Sequence, residues 1–328
     1  MGGVGETQAC RRRCCGRVST VKLPRLVSRV VSRVIPGAIA RAVPGTAPSA
    51  LRYFAEHATL RRSFGLLNDF KYEQTQPDIF YGHLAEDTVG LIRDVYRGVV
   101  GGEGGEDLSG AGGSGLGGAD GTEGSNAEPS PLAGKKILDV GGGPGYFGVA
   151  FDREQADYYT CEPDVGEMAA AGITLQSSVR GSGLDLPFLD DSFDITYSSN
   201  VAEHVPDPWR MADEMLRVTR PGGVVIYSYT VWLGPFGGHE TGLWQHYVGG
   251  EFAAQRYEKV HGKRPKNRWG ESLFDVSAAD GLAYARRADA DLLASFPRYH
   301  PWWAWWMVRI PIVREFAVSN LVLVLRKR

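Results

Sequence analysis

The stretch that decides the fold is Ile137-Leu138-Asp139-Val140-Gly141-Gly142-Gly143-Pro144-Gly145-Tyr146. A short apolar run that closes on an acid reads as a buried strand. Glycine follows where a backbone must bend sharply and let a ligand come close. A helix opening just beyond offers free N–H groups to a polar or anionic ligand. Strand, tight turn and helix in that order are the first half of a βαβ unit.

Downstream the pattern repeats. Strands are predicted over 136–140, 158–161, 193–198, 224–229, 292–296 and 321–325, with a helix over 205–219. Strands alternating with helices define an α/β fold with a doubly wound, mostly parallel sheet. Upstream, Phe54, Ala58, Phe64 and Leu67 recur at roughly helical spacing. A second helical stretch sets Phe80, Leu84, Val89, Ile92 and Val95 along one face. Residues 51–100 therefore read as a helical cap, and 132–328 as the core.

The two remaining segments differ in composition. Of 43 glycines in 328 residues, 12 fall in 101–130, alongside six acidic residues and no basic one. The segment 101–131 is expected to be a disordered insert, because it cannot bury enough apolar surface to offset its ordering entropy. Residues 1–50 carry nine basic residues against Glu6. Within them a short basic amphipathic helix over 24–36 reads either as a membrane-surface anchor or as part of a disordered tail. The chain as a whole has a formal charge of −2, which excludes a globally basic nucleic-acid binder. Four cysteines, three of them in the tail, form neither a disulfide framework nor paired zinc-ligand spacing. That usage points to a reducing, cytoplasmic setting. No apolar run is long enough for a membrane span, and the start lacks the pattern of a secretory signal.

The glycines alone leave the ligand open. Gly143 to Gly148 also matches the dinucleotide pattern G-x-G-x-x-G, and Glu162 stands 19 residues past Gly143. An adenosine-type cofactor follows either way, and a nicotinamide oxidoreductase is one alternative. Three later features separate the two. They are Leu186-Pro187-Phe188 with Asp190-Asp191-Ser192-Phe193-Asp194, then Asn200-Val201-Ala202-Glu203-His204-Val205, then Glu214 to Gly223 ending in Arg220-Pro221-Gly222-Gly223. With Asp139-x-Gly141-x-Gly143-x-Gly145, their order and spacing resemble the class I methyltransferases dependent on S-adenosyl-L-methionine (SAM). The nearest likeness is to the methyltransferase type 11 domain of the ubiquinone/menaquinone-biosynthesis-like group, over about 135–230.

The resemblance implies a seven-stranded sheet whose last two strands form an antiparallel pair. It places Asp139, Gly141, Gly143 and Gly145 around the methionine part of SAM, with Asp139 toward the ammonium. Glu162 would accept from both ribose hydroxyls, Asp164 would lie near the adenine rim, and Asn200 would face the methionine end. One position departs from the family: Gly181-Ser182-Gly183 stands where an acid commonly meets the adenine amino group. Ser182 is then a neutral, weaker acceptor, and Asp185 comes three residues later. Tyr72, Gln76, Phe80 and Tyr81 of the cap are in position to cover the cofactor.

Ligands of an open α/β sheet bind beyond the carboxyl ends of the strands. The loop after the 224–229 strand is rich in glycine and aromatics and holds His239, Glu240 and His246. It is the expected acceptor pocket, with His239 as general base and His246 as second choice. These residues could also ligate a metal, but none is assigned. Glu203-His204 reads as the close of a helix start, with a role for His204 at the substrate as the alternative, and Glu214 with Arg217 reads as a structural ion pair. Trp302-Trp303-Ala304-Trp305-Trp306 is the last unusual feature. It reads as a packed helix, as a lid over an apolar acceptor, or as a surface that dips into a membrane. The acceptor is expected to be small or lipid-like, methylated on oxygen or carbon, and not a nucleic acid. A non-catalytic SAM-binding protein is the other alternative.

Overall fold

The computed structural model describes residues 49–69, 72, 75–101, 129–143, 145–164, 166 and 177–328. The tail, where a basic helix is expected over 24–36, and the glycine-rich insert from 102 to 128 lie outside the described residues.

Seven strands form one sheet: β1 (Lys136–Val140), β2 (Asp157–Glu162), β3 (Ser178–Arg180), β4 (Phe193–Ser199), β5 (Thr219–Thr230), β6 (Ala290–Pro297) and β7 (Asn320–Lys327). Their order is β3-β2-β1-β4-β5-β7-β6. Strands β1 to β5 pair in parallel, and β7 runs antiparallel to both β5 and β6. A dinucleotide-binding sheet runs 3-2-1-4-5-6. The antiparallel strand wedged before β6 sets this sheet apart from that order.

Both faces of the sheet are covered, so its central strands read as nearly continuous apolar runs. On one face Leu138 and Val140 pack with Met211 and Met215 of α5 (Pro208–Val218) and with Leu282 and Tyr284 of α6 (Ala278–Arg287). On the other, Ile137 packs with Phe54 of α1 (Arg52–His57), Val89 and Ile92 of α3 (Pro77–Val100) and Phe151 of α4 (Tyr146–Arg153). Helix starts are fixed locally. Asp207 caps α5 by accepting from the Arg210 N–H, and Ser277 caps α6 by accepting from the Asp280 N–H.

Four details depart from the sequence expectations. The periodic stretch over 53–67 is two helices, α1 and α2 (Leu60–Asp69), because the chain turns at Ala58 and Thr59. The turn resets the helical face. Phe54 and Ala58 are buried, but Phe64 is 64% exposed. Arg62 turns inward instead, to a bidentate pair with Asp87 at 2.6 and 2.8 Å. Second, β3 has only three residues and gave no pattern to find; it is held by pairing from Thr160↔Ser178 to Glu162↔Arg180. Third, Pro221-Gly222-Gly223 lies inside the irregular start of β5, with Gly222 at φ +76°, not before it. Fourth, the tryptophan stretch is divided. It forms a 3-10 helix (Trp302–Arg309) in which Trp305 is buried and stacked on Phe54 at 6.0 Å. Trp302 and Trp303 are 46% and 55% exposed.

Candidate active site

The carboxyl ends of β1, β2, β4 and β5 meet along one edge of the sheet. As the chain leaves β1 it enters left-handed backbone, with Gly141, Gly143 and Gly145 at φ +84°, +55° and +90°. Only glycine adopts these angles without strain. A Cβ on Gly141 would stand 2.4 Å from Cγ2 of Val201, so the first glycine is also needed for close packing. A Cβ on Gly143 would meet nothing within 4 Å, so its side of the loop is open. The open cradle leads into the start of α4 at Tyr146, where free N–H groups can meet a polar or anionic ligand group.

Glu162 ends β2 and is largely buried. Its two carboxylate oxygens accept from the backbone N–H groups of Gly143 at 3.3 Å and Asp164 at 3.1 Å. The acid is thereby fixed beside the glycine loop, where it can accept from a ribose diol. Asp164 is exposed and accepts the Gly166 N–H at 2.6 Å.

Asp139 is buried beneath α4. Its Oδ2 accepts from the hydroxyls of Tyr158, at 2.8 Å, and Tyr197. Burial pushes its carboxyl up to about 7 against the two tyrosine hydrogen bonds, which pull it down. Its charge therefore changes near neutrality.

Asn200, just past β4, is held at φ +57°. Its N–H donates to the Ser228 carbonyl at 2.9 Å, and its Oδ1 accepts from Asn320 Nδ2 at 2.7 Å. Non-glycine residues are held in this region only when the surroundings fix them, and such positions cluster at functional sites.

Ser182 is exposed, and its Oγ accepts the Leu184 N–H at 3.2 Å. Gly183 is tightly packed, since a Cβ there would press on Met211 and Val140 at 2.9 and 3.0 Å. The turn brings the backbone of Asp185 back beside Ser182 as an isolated bridge.

The helical segment before the sheet meets the first residue of α4. Tyr146 hydrogen-bonds Asp78 of α3, and its ring stacks on Tyr81 at 5.4 Å. One cap tie was not foreseen. Arg298, at the end of β6, is almost fully buried and donates to Ser199 Oγ at 2.5 Å and Thr88 Oγ1 at 2.6 Å. Only Pro297-Arg298 at a strand end hinted at it.

The loop after β5 separates its two histidines. His246 is buried, with Nε2 donating to the Gly234 carbonyl at 3.1 Å, so it braces the loop from inside. His239 sits at φ +48° in a 3-10 turn (His239–Thr241). Its Nε2 is buried without a hydrogen-bond partner, and burial lowers its pKa below the usual histidine value. Glu240 turns away to accept from the Asn267 backbone and side-chain amides at 2.7 and 2.9 Å. His239, Glu240 and His246 are therefore not brought together. The ring beside His239 is that of His204, at 5.0 Å between centroids. Next to it stands Glu203, on the turn that follows β4 (Ala202–His204). The Glu214–Arg217 pair is structural, with Arg217 also holding the carbonyls of Leu186 and Phe188 at 3.0 and 2.9 Å.

Strand order, glycine cradle and acid at the end of β2 define a class I methyltransferase architecture. The family model described as "Methyltransferase domain" matches residues 138–227. An uncharacterized methyltransferase of Mycobacterium avium (strain 104) is 53% identical over 277 residues, covering 83% of this chain and 98% of that protein. A second, from Mycolicibacterium gilvum (strain PYR-GCK), is 54% identical over 282 residues, covering 85% of this chain and 99% of that protein. The chain belongs to this methyltransferase family, and the oxidoreductase alternative falls. Among solved structures, a SAM-dependent methyltransferase from Mesorhizobium loti is 18% identical, with a TM-score of 0.42 over 60% of this chain and 92% of that one. The fold assignment rests on the strand order itself. The class implies SAM as methyl donor. No helix among the described residues is long and apolar enough to cross a membrane.

Proposed function

We propose that this methyltransferase moves a methyl group from SAM to a small or lipid-like acceptor, on oxygen or carbon, at the carboxyl ends of β1, β4 and β5. The observation that carries the proposal is one juxtaposition. Gly141 of the glycine cradle packs against Val201, and His204, paired with His239, stands three residues beyond Val201. Donor cradle and acceptor loop thus share one wall.

When bound, SAM supplies a methyl group activated on a positively charged sulfur. The protein's main task is then alignment. Gly141, Gly143 and Gly145 leave room for the methionine end, and Asn200 presents its rigid backbone there. Asp139 supplies the carboxylate that balances the ammonium. Glu162 takes the ribose hydroxyls, while Asp164, Ser182 and Gly183 border the adenine. His239 acts on the acceptor's reacting group, with His246 holding the loop behind it. The exposed Trp302 and Trp303 suit a lipid-like acceptor reached at a membrane surface, where an aromatic ring has one apolar side and one wet side.

The test is a methyl balance. Lipid and metabolite extracts from a strain lacking the protein should accumulate a species lighter by one methyl group. Purified protein with labelled SAM should convert it to the heavier species. SAM binding with no transfer to any extract fraction would instead indicate the non-catalytic alternative.

A further inference from the structure

We infer that Glu203, His204 and His239 form a binding site for a divalent transition-metal ion that holds a hydroxylated acceptor. The inference rests on the methyltransferase reading for the acceptor's use, but not for the binding of the ion.

One oxygen of Glu203 and one ring nitrogen from each histidine lie within 4.8 Å of one another. Each group is prepared for ligation in its own way. Glu203 is 1% exposed, and its Oε1 accepts the Thr230 N–H at 3.2 Å. Its other oxygen, Oε2, is buried without a partner. A carboxylate oxygen sealed from water and left unbonded is costly unless a cation or donor meets it. His204 Nδ1 lies 2.7 Å from the Ser272 carbonyl. A carbonyl only accepts, so Nδ1 carries the proton and Nε2 keeps its lone pair. A backbone carbonyl fixing the tautomer from behind is the usual support of a metal-binding histidine. His239 contributes a buried Nε2 with no partner, on a backbone held at φ +48°.

The framework around the three is rigid. The backbone carbonyl of Glu203 accepts the Phe274 N–H at 2.8 Å, so the turn after β4 is bound to the 272–274 segment at two points. Two imidazoles and one carboxylate suit Zn2+, Mn2+, Fe2+ or Co2+ better than Mg2+ or Ca2+, which prefer oxygen ligands alone. Three protein ligands leave a coordination position open, as in catalytic rather than structural sites. An acceptor hydroxyl would fill it. Coordination lowers the pKa of that hydroxyl. Its proton goes to water, its oxygen lone pair forms the new O–CH3 bond, and the donor's C–S bond breaks with both electrons left on sulfur. No oxidant or reductant is needed. His239 thus acts on the acceptor as a ligand of the ion.

The experiment is metal binding by the full chain, stripped with chelator and titrated with Co2+ and Zn2+. Cys10, Cys14 and Cys15 are changed to serine so that tail thiols contribute nothing. The expected result is one ion per chain and a Co2+ visible spectrum typical of nitrogen and oxygen ligands. Glu203→Gln and His239→Ala should each weaken binding at least about tenfold while SAM affinity stays the same. Gln keeps an acceptor for Thr230, so the first variant should retain its thermal unfolding midpoint. Absence of saturable binding in a chain that still binds SAM would overturn the inference. So would binding that survives both substitutions.

Discussion

The two halves of the site are built in opposite ways. The frame of the donor half is local: β1, three left-handed glycines, α4 and the end of β2 lie within 27 residues, from Lys136 to Glu162. The acceptor half is assembled from afar. His204 is oriented by Ser272, 68 positions on, and faces His239, 35 positions on. The donor half answers to one ligand and is dictated by backbone conformation. The acceptor half depends on which loops the sheet brings together. A sequence motif can therefore name the donor, while the acceptor is a property of the folded chain.

The sharpest way to break this contrast is to damage one half and measure the other. His239→Ala should lower kcat by about a thousandfold, the scale expected when the group that activates the acceptor is lost. SAM affinity, read by calorimetry, should be unchanged. A matching loss of SAM affinity would show the halves to be one unit.

Asp139 sharpens the contrast from the donor side. Its ordinary carboxylate value of 3.8 rises to about 7 in the fold. A raised carboxyl pKa means that the folded state holds the proton more tightly. Its contribution is therefore full below 3.8 and is lost as pH rises through 7. The size at stake is up to roughly 4 kcal/mol, at about 1.4 kcal/mol per pKa unit. Melting of the SAM-free protein between pH 4 and 8 should show this decline, and Asp139→Asn should flatten it. An ammonium brought against Asp139 favours the ionised form, so SAM binding near pH 7 should release protons. Calorimetry in buffers of different ionisation enthalpy reads that release.

Glu162→Ala should weaken SAM binding by about a hundredfold, the loss of two charge-assisted hydrogen bonds. It should leave His239 and the metal affinity untouched. The smallest effect is expected outside both halves. Replacing Trp302 and Trp303 with alanine should reduce partition onto anionic vesicles severalfold, because two interfacial aromatics are lost. Trp305, stacked on Phe54, belongs to the core, and its replacement should lower stability instead.

Much of the fold was legible because it depends on neighbours in sequence. β1, β4, β5, α3 and α5 announce themselves through apolar runs and periodic faces, and the family resemblance supplied the antiparallel last pair. What escaped depends on partners elsewhere. β3 is a strand only because β2 lies beside it. Phe64 lost its expected face because a turn at Ala58 and Thr59 rotated α2, leaving its inward position to Arg62. In the site, the residue types and spacing around Asp139, the glycines and Glu162 could be read directly. His239 stood out by its loop, but Glu240 and His246 were equally plausible companions there. Nothing in the spacing of Glu203 and His204 reveals that Ser272 and Thr230 lock them toward His239.

The placement of β7 bears on how the chain is made. It follows β6 in sequence, yet it lies between β5 and β6 and supplies both with hydrogen bonds. During synthesis, β5 and β6 therefore emerge from the ribosome with no common partner. Phe54, made early, must likewise wait for Phe296 and Trp305. The donor half can form on the nascent chain, but the sheet cannot close until residue 327 has left the tunnel. Until then the newborn protein exposes apolar strand edges that chaperones recognise.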